Sequence, residues 1–391
     1  MVAVDSAVMS ISFALTEEHQ ALRDVVRQFA LEKVAPRAEE MNRTGEFPVD
    51  LVLQMGRMGL FGLPFPEAYG GSGGDFLSVC LAIEELGRVD QSLGITLEAA
   101  VSLGAMPIYR FGTEEQRRRW LPPLAAGERL AGFGLTEPGG GSHAGALRTR
   151  ALRDIDGWVI DGSKRFITNV GTAISAFVTI AAVTNETPRE ITNFVVPTGT
   201  PGYVIGTGYR KVGWHASDTR DLIFDGVRVP LDHQLGARGQ GLANFLEILD
   251  GGRIAIAALA TGSIQGCVDE CLRYAHERDA FGKPIGGHQA IAFKIADMEV
   301  QAELSRHAYW HAAWLMGEGR PFKRAASVAK LYATEAAVTA AREACQVFGG
   351  YGFTTEFLVG RLYQDAKALE IGEGTSEIQR MLIARDLGLP S

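Results

Sequence analysis

The sequence is poor in cysteine, with 4 among 391 residues, and none of the four forms a C-x-x-C pair. This absence argues against zinc-ribbon and dithiol redox motifs. Cys267 and Cys271 lie four residues apart in a helical segment, which places both thiols on one helix face rather than across a bridge. We interpret them, with Cys80 and Cys345, as reduced core residues and predict a cytoplasmic location.

A basic tract and a long apolar run are also absent. The net charge is -8 and Lys and Arg are not clustered, which argues against nucleic acid and membranes as main partners. No uninterrupted apolar run reaches the length of a membrane span. Met1 to Ser12 contain Asp5 and no Arg or Lys, so they resemble neither a secretory signal nor a transit peptide. The expected partner is therefore a small molecule.

Several site signatures are incomplete. His307, His311 and Glu303 share a helix face, but H-E-x-x-H is absent and no metal site is predicted. The segment Gly139-Gly-Gly-Ser-His-Ala144 satisfies G-x-G-x-x-A, yet the sequence after it favours strands rather than the helix that a Rossmann nucleotide site requires. Ser142 lacks the second glycine of a nucleophile elbow. These observations disfavour a nicotinamide enzyme and a serine hydrolase.

The residue pattern changes twice along the chain and divides it into three regions. Residues 1–128 show helical periodicity and predict an N-terminal α-helical domain. Residues 129–238 contain short β-branched runs around Asp-Gly turns and no useful helix, which predicts a middle antiparallel β-barrel or sandwich. Residues 239–391 predict a C-terminal four-helix bundle from long amphipathic segments near 242–278, 288–317, 322–348 and 376–387. The predicted fold class is α+β.

One carboxylate stands between two glycines just before the last helix, in Gly372-Glu-Gly374. Glycines let a backbone approach a ligand closely, and Ser376 and Gln379 have the spacing of a capping box. Glu373 is therefore a candidate general base. From this stretch alone, a solvated glutamate in a helix-leading loop is the simpler interpretation.

Motifs along nearly the whole chain, from about Leu15 to Leu387, together closely resemble the acyl-CoA dehydrogenases. They are Leu135-Thr-Glu-Pro-Gly-Gly-Gly-Ser142, Lys164-Arg-Phe-Ile-Thr-Asn169, Gly213-Trp-His-Ala-Ser-Asp-Thr-Arg220 with Val227-Arg-Val-Pro230, Arg278-Asp-Ala-Phe-Gly282 with His288-Gln289, Gln346-Val-Phe-Gly-Gly350 and Gly372-Glu-Gly-Thr-Ser-Glu-Ile-Gln379. Each motif is weak alone, and their joint occurrence in this order is specific.

The resemblance implies an FAD-dependent enzyme in which the flavin lies between the β domain and the C-terminal bundle. Glu373 matches the family's base, which removes the α proton of an acyl-CoA thioester while the β hydrogen leaves as hydride to flavin N5. The product would be a trans-2-enoyl-CoA, and the electrons would pass to an electron-transfer flavoprotein. The resemblance also implies a homotetramer. Burial is expected to raise the pKa of Glu373.

Residue by residue, the resemblance assigns contacts to the flavin, to the diphosphate and adenosine of FAD, and to the cofactor next to the base. They are Leu135, Thr136, Gly141, Ser142, Phe166, Thr168, Arg278, Phe281, Gln289, Gln346, Gly350, Thr375 and Glu377, several of them expected from a neighbouring subunit. The implied substrate contacts are Ser142, Asp250, Arg253, Gly374, Ile95 and Ala99. Alternatives stay open, since Phe166 and Phe281 could be core residues, Arg278 a surface ion pair, and Asp250 with Arg253 an exposed helix salt bridge.

The sequence departs from the family pattern at His143, Val170 and Ala280, which puts local contacts there in doubt. Gly372 stands where many members have Tyr, and the isovaleryl-type branch shows the same change. That branch places its base at the position of Gly252, which has no side chain, so Glu373 keeps the role. The two glycines around Glu373 suggest room for a branched or bulky acyl group above Ile95 and Ala99.

Three rival functions remain. A flavin oxidase or monooxygenase on the same fold often lacks the glutamate, so Glu373 argues against it. A decarboxylating glutaryl-type enzyme needs a cation for the distal carboxylate, which no pocket position clearly supplies. A catalytically silent assembly protein would have no need of the flavin motifs.

Overall fold

The computed structural model describes residues 14 to 389. The interpretation of Met1 to Ser12 therefore concerns residues outside the described range. A helical region, a β-sheet and a second helical region follow one another along the chain, which confirms the predicted α+β fold class. The proposed boundaries at 128/129 and 238/239 stay predictions.

The N-terminal region consists of short helices joined by tight turns. The helices are α1 (Glu17–Phe29), α2 (Ala35–Thr44), α3 (Val49–Arg57), α4 (Phe76–Gly87), α5 (Gln91–Glu98), α6 (Met106–Phe111) and α7 (Glu114–Ala125), with π-helical turns at Ala30–Val34 and Ala99–Ala105. Side chains of Thr16, Asp75, Asp90 and Thr113 cap α1, α4, α5 and α7 by accepting a backbone N–H three residues on.

A continuous helical segment, Gln91–Phe111, joins α5 and α6 through the second π turn. Its 21 residues are long and apolar enough to cross a membrane, which the sequence prediction had not expected. However, 89% of its most apolar stretch is buried inside the protein, as in the core helix of a soluble protein. Gln91 fixes it to the C-terminal region, because its Nε2 donates to Leu259 O over 3.1 Å.

The middle region forms one eight-stranded sheet. The strands are β1 (Leu130–Gly134), β2 (Arg150–Arg153), β3 (Gly157–Thr168), β4 (Ser175–Glu186), β5 (Arg189–Pro197), β6 (Tyr203–Ile205), β7 (Thr219–Pro230) and β8 (Gln234–Leu235), in the order β6-β7-β3-β2-β4-β5-β8 with β1 beside β4. Most pairs are antiparallel, as predicted, but β1 and β2 both pair with β4 in parallel. The long connection 135–149 permits this, because it lets the chain re-enter the sheet in the same direction.

The C-terminal region is built from long helices around one core. They are α8 (Gly241–Glu277), α9 (Gln289–Gly317), α10 (Lys323–Phe348), α11 (Leu358–Leu369) and α12 (Ser376–Asp386), with a small hairpin of β9 (Asp279–Ala280) and β10 (Lys283–Pro284) after α8. Helices α8, α9 and α10 pack together, α11 lies against α8 and α10, and α12 against α10. The sequence analysis missed α11, which is short and follows a glycine-rich turn.

The cysteines are free thiols, and Cys345 alone among them is not fully buried. Burial raises the pKa of Cys271 to about 12 and that of Cys345 to about 11, so both thiols stay protonated at neutral pH.

Candidate active site

Glu373 lies in the turn between α11 and α12 with φ at 52°, a left-handed conformation that strains a residue with a side chain. The surrounding structure holds it there. Lys330 Nζ donates to Gly374 O over 2.8 Å, and Gln379 Nε2 donates to the same oxygen over 2.9 Å. Ser376 N donates to Glu370 O over 3.1 Å and closes the turn. The backbone that carries Glu373 is therefore fixed from two helices.

The N-cap of α12 is Thr375, whose hydroxyl accepts from Ile378 N over 3.4 Å. The predicted capping box of Ser376 and Gln379 is thus wrong by one residue. Gln379 serves the turn instead, since its amide occupies the space beside Gly374, where a Cβ would lie 2.8 Å from Nε2. The missing side chain of Gly374 makes room for this amide.

The Glu373 carboxyl lies against α8 at Gly252. A Cβ on Gly252 would lie 2.0 Å from Glu373 Oε2, so this glycine makes room for the carboxyl group. Oε2 is buried and receives no hydrogen bond from a permanent donor. Burial raises the pKa of Glu373 to about 7, against the opposing hydrogen bond of Glu98 and the positive charges of Lys330 and Arg253. A carboxyl with such a pKa can accept a proton near neutral pH.

Glu98, which the sequence analysis missed, ends α5 beside Glu373. The residue is 0% exposed and neither of its carboxyl oxygens has a partner by hydrogen-bond geometry. Burial, together with the neighbouring Glu373, raises the pKa of Glu98 well above its ordinary value. The sequence did carry a signal, because Glu98 is the one charged residue between Gln91 and Met106.

Lys330 was also missed. It is 0% exposed in α10, and burial lowers its pKa to about 8 against the opposing charge of Glu373. The lone lysine in the alanine-rich stretch Ala325 to Ala337 was the available signal.

Asp250 and Arg253 lie on α8 next to Gly252 and are each 5% exposed, so the interpretation as an exposed salt bridge is wrong. Arg253 Nη1 donates to Asp250 Oδ1 over 2.5 Å, and Lys323 Nζ lies 2.8 Å from Asp250 Oδ2. Arg253 Nε is buried without a partner. The buried Arg253 guanidinium, with one unpaired donor, is therefore the neighbour in sequence of Gly252, against which the Glu373 carboxyl lies.

Comparison with known proteins matches three consecutive family models to this chain. They are the acyl-CoA dehydrogenase N-terminal domain over residues 16–128, the middle domain over 132–227 and the C-terminal domain over 239–388. The chain belongs to the acyl-CoA dehydrogenase family. Family members are oxidoreductases that bind FAD, as predicted.

Two relatives match this chain over nearly the whole length of both sequences. The chain is 48% identical over 378 residues to the probable acyl-CoA dehydrogenase YngJ of Bacillus subtilis, covering 96% of this chain and 100% of the relative. It is 42% identical over 376 residues to the short-chain specific acyl-CoA dehydrogenase of Clostridium acetobutylicum, covering 96% and 99%.

Solved structures agree with this assignment. Butyryl-CoA dehydrogenase from Megasphaera elsdenii has a TM-score of 0.94 at 40% identity, covering 96% of this chain and 100% of that one. A chain from a study of the electron transferring flavoprotein of Acidaminococcus fermentans has a TM-score of 0.94 at 41% identity, covering 96% and 99%. Glutaryl-CoA dehydrogenase from Mycobacterium smegmatis in complex with FADH2 has a TM-score of 0.91 at 32% identity, covering 95% of each chain.

In this acyl-CoA dehydrogenase, the first group of predicted FAD residues lies at the ends of β1 and β3. Leu135 is buried, Thr136 and Thr168 are partly exposed, and Phe166 is 60% exposed with φ at 59°. The core interpretation of Phe166 is therefore wrong. An aromatic ring held in solvent by a strained backbone fits a surface that a flat cofactor covers.

A buried ion pair supports this group. Lys164 Nζ lies 2.8 Å from Glu137 Oε1 and 3.3 Å from Leu135 O. Glu137 also accepts from the backbone N–H groups of Arg148 and Thr149, over 2.6 and 3.1 Å. The pair thus joins β3 to the segments that follow β1 and precede β2, close in sequence to the predicted flavin residues.

The departure at Val170 is accommodated by Asp218. Val170 N and Gly171 N donate to Asp218 Oδ2 over 3.0 and 2.6 Å, and Val170 itself is 1% exposed in the core. Asn169, with φ at 65°, donates from Nδ2 to Thr96 O over 3.1 Å and so joins this loop to the apolar segment Gln91–Phe111. The local backbone therefore does not need the glycine that the family usually has there.

The second group of predicted FAD residues lies on the C-terminal helices and their hairpin. All five residues, Arg278, Phe281, Gln289, Gln346 and Gly350, are exposed. Phe281 is 96% exposed with φ at 52°, so it is not a core residue. Within residues 14 to 389, no hydrogen bond, ion pair or ring contact joins this group to the first. The exposed ring of Phe281 fits a cofactor surface in the same way as the ring of Phe166 does.

The remaining predicted residues fall in three places. Thr375 caps α12 beside the base, and Glu377 is exposed in its first turn. Gly141 and Ser142 are exposed on the loop after β1, while Ile95 and Ala99 are buried in the apolar segment. Glu98, the neighbour of Glu373, lies between these last two residues in the sequence.

A cleft of about 650 Å³ opens next to Ser142 but does not include Glu373. It is lined by His143, Gly145, Ala146, Leu147, Arg148, Arg150, Glu186 and Arg189. Glu186 pairs with Arg150 and Arg189 over 3.3 and 2.8 Å. The Arg148 guanidinium has no hydrogen-bond or ion-pair partner among the described residues. The cleft therefore carries a net positive charge.

Proposed function

We propose that the protein dehydrogenates an acyl-CoA thioester to the trans-2-enoyl-CoA, with Glu373 as the base that removes the α proton. The observation that carries this proposal is the Glu373 carboxyl, which a strained turn holds against Gly252 with a pKa of about 7. The names of short-chain and butyryl-CoA dehydrogenase relatives support a short acyl group. The branched or bulky group expected from the sequence remains an alternative substrate.

The chain's own groups divide the work of the reaction. Glu373 takes the proton from Cα, and the electron pair of that bond moves toward the thioester carbonyl. The Glu373 N–H, which donates to no acceptor among the described residues, is available to stabilise the resulting negative charge on the carbonyl oxygen. Bound FAD supplies the acceptor for the hydride that leaves Cβ. Phe166, Thr136 and Thr168 would hold its ring.

The CoA end of the substrate would enter beside Ser142. Arg148, Arg150 and Arg189 line the adjoining cleft and suit the phosphates of CoA, because guanidinium groups bind phosphate through paired donors. Arg253, with its unused Nε, would contact the substrate closer to the base.

We further propose a homotetramer that passes electrons to an electron-transfer flavoprotein in the cytoplasm. The two separate groups of FAD residues support assembly, because a second subunit would bring the exposed group to the flavin. Exposed apolar side chains on α9, namely Phe293, Val300, Leu304 and Trp314, support a subunit contact there. The flavoprotein study that contains a similar chain supports the partner, and the protonated, mostly buried cysteines support the location.

Anaerobic bleaching of the flavin by straight, branched and cyclic acyl-CoA thioesters tests the reaction. Bleaching by a short straight thioester is expected, and Glu373→Gln should bind FAD but abolish bleaching. Bleaching that persists in the variant would exclude Glu373 as the base. Reoxidation of the reduced enzyme separates the rivals, because rapid reoxidation by air identifies an oxidase. Colourless protein that takes up no FAD would identify an assembly protein.

A further inference from the structure

Glu98 is a buried acid to which the proposed reaction assigns no step. Its two carboxyl oxygens, Ser102 Oγ and Glu373 Oε2 are all buried and lack partners by hydrogen-bond geometry. These atoms lie together, because the Glu98 carboxyl neighbours both Ser102 and Glu373. Buried polar atoms normally have partners, so such a cluster calls for an explanation.

A proton between the two carboxyl groups provides one. Two adjacent buried carboxyl groups cannot both be ionised without a large electrostatic cost. If one keeps its proton, it donates to the other, and two of the unpartnered oxygens are satisfied at once. Among the described residues, the permanent donor beside this pair is the Ser102 hydroxyl, and its single O–H cannot satisfy both carboxyl groups, so a shared proton completes the cluster.

The surrounding charges decide which carboxyl keeps the proton. Glu373 faces the cations Lys330 on α10 and Arg253 on α8, both of which favour its ionised form. Among the described residues, Glu98 faces Glu373, the hydroxyl of Ser102 and, on α4, the thiol of Cys80, and no cation. Glu98 is also completely buried, whereas Glu373 is partly exposed. Glu98 is therefore the proton holder.

We propose that Glu98 is a positioning residue that stays protonated and donates a hydrogen bond to the Glu373 carboxylate in the substrate-free enzyme. This inference rests on the proposed function, in which Glu373 is the base. The bond stabilises ionised Glu373, so the base stays ionised, and able to accept a proton, down to a lower pH. It also holds the carboxylate in one orientation until the substrate replaces Glu98 as its neighbour.

The test compares Glu98→Gln with Glu98→Leu in the holoenzyme. The glutamine amide replaces the protonated acid as a neutral donor, so the acidic limb of the kcat/KM pH profile should stay in place. Leucine removes the donor, and the acidic limb should move upward by about one pH unit. Thr96→Val is the matched control, since it removes a buried hydroxyl from the same helix without touching the pair. If the leucine variant fails to fold, Glu98→Met gives the same comparison.

Infrared spectroscopy of the substrate-free protein at about pH 9, well above the Glu373 pKa of about 7, gives a readout that does not depend on turnover and in which Glu373 is ionised. A protonated carboxyl band that both Glu98 variants lose, and that Thr96→Val retains, is the expected result. A downward shift of the acidic limb in Glu98→Gln would mean that Glu98 is charged and would overturn the proposal, as would an unmoved limb in Glu98→Leu. Failure of the proposed function gives a different result, namely turnover that survives Glu373→Gln.

Discussion

The carboxyl of Glu373 occupies the space that a side chain on Gly252 would need, since a Cβ there would lie 2.0 Å from Oε2. We predict that Gly252→Ala displaces the carboxyl and lowers kcat by at least about tenfold, because small displacements of a reacting group are costly. FAD content should not change. Stopped-flow bleaching of the flavin by a short acyl-CoA measures the effect.

Gly251→Ala is the control for this prediction. A Cβ on Gly251 would meet the end of Met316 at 3.6 Å and the Phe76 ring at 4.0 Å, both of which are ordinary contacts. This variant should react at the wild-type rate. Equal rates in the two variants would mean that the carboxyl does not work from this position.

The buried cation of Lys330 should tune the base. Its charge favours ionised Glu373, so Lys330→Met should raise the pKa of Glu373 and move the acidic limb of the pH profile upward by about one unit. Turnover at pH 7 falls as a result, and turnover above the new midpoint recovers. Lys367→Met, which removes an exposed lysine paired with Glu370 on α11, should leave the profile in place. A profile unchanged in both variants would contradict the prediction.

The buried Lys164 and Glu137 ion pair should stabilise the fold only while both partners are present. Lys164→Met leaves a buried carboxylate without its cation and should cost about 3 kcal/mol of unfolding free energy. Adding Glu137→Gln removes that charge, so the double variant should regain much of the loss. Urea unfolding of the three proteins measures the coupling. Additive losses would show that the two residues act independently.

Acid should weaken the same pair. Burial alone would raise the pKa of Glu137, but the charge and hydrogen bond of Lys164 help to hold it below its ordinary value. The folded pKa therefore lies below the unfolded one, and the stabilisation is present at neutral pH and lost as the pH falls below about 4. In the double variant this part of the acid dependence should disappear.

Phe281 should act across a subunit contact. Its ring is almost wholly exposed in one chain, so Phe281→Ser should leave the folded chain intact but weaken FAD retention. The loss should grow on dilution, because dissociation of subunits separates the two groups of FAD residues. Ile155→Ser, at another exposed apolar residue, is the control. Flavin fluorescence against protein concentration makes the comparison, and equal retention in both variants would refute it.

Arg148 should recognise the CoA end of the substrate. Arg148→Ala removes an unpaired guanidinium from the cleft and should raise KM for an acyl-CoA about tenfold, with little change in kcat. The corresponding acyl-pantetheine lacks the nucleotide and should show no such change. A KM increase for both thioesters would place Arg148 elsewhere in the reaction.

The predictable part of the site is local in sequence. Glu373 is recognisable because two glycines and a helix start surround it, and Asp250 and Arg253 because they share one helical turn. Burial was harder to foresee, since the sequence does not show that α8 is covered on every side near Arg253. The same difficulty concealed α11, whose apolar face depends on α8 and α10 for its packing.

The neighbours of the base come from distant parts of the chain. Glu98 and Lys330 reach Glu373 from α5 and α10, and neither is close to it in sequence. Only the packing of three helices defines this cluster. Glu98 is marked as the one charged residue between Gln91 and Met106, and Lys330 as the one lysine between Ala325 and Ala337, so such residues are worth examining in other helical enzymes.

The apolar segment Gln91–Phe111 also affects how the chain is made. Gln91 contacts Leu259, 168 residues later, so part of the segment's cover is synthesised roughly ten to thirty seconds after the segment itself. During that interval the growing polypeptide exposes a stretch apolar enough for a membrane. We therefore expect the growing chain to need shielding over this stretch, by the ribosome or a chaperone, until α8 emerges.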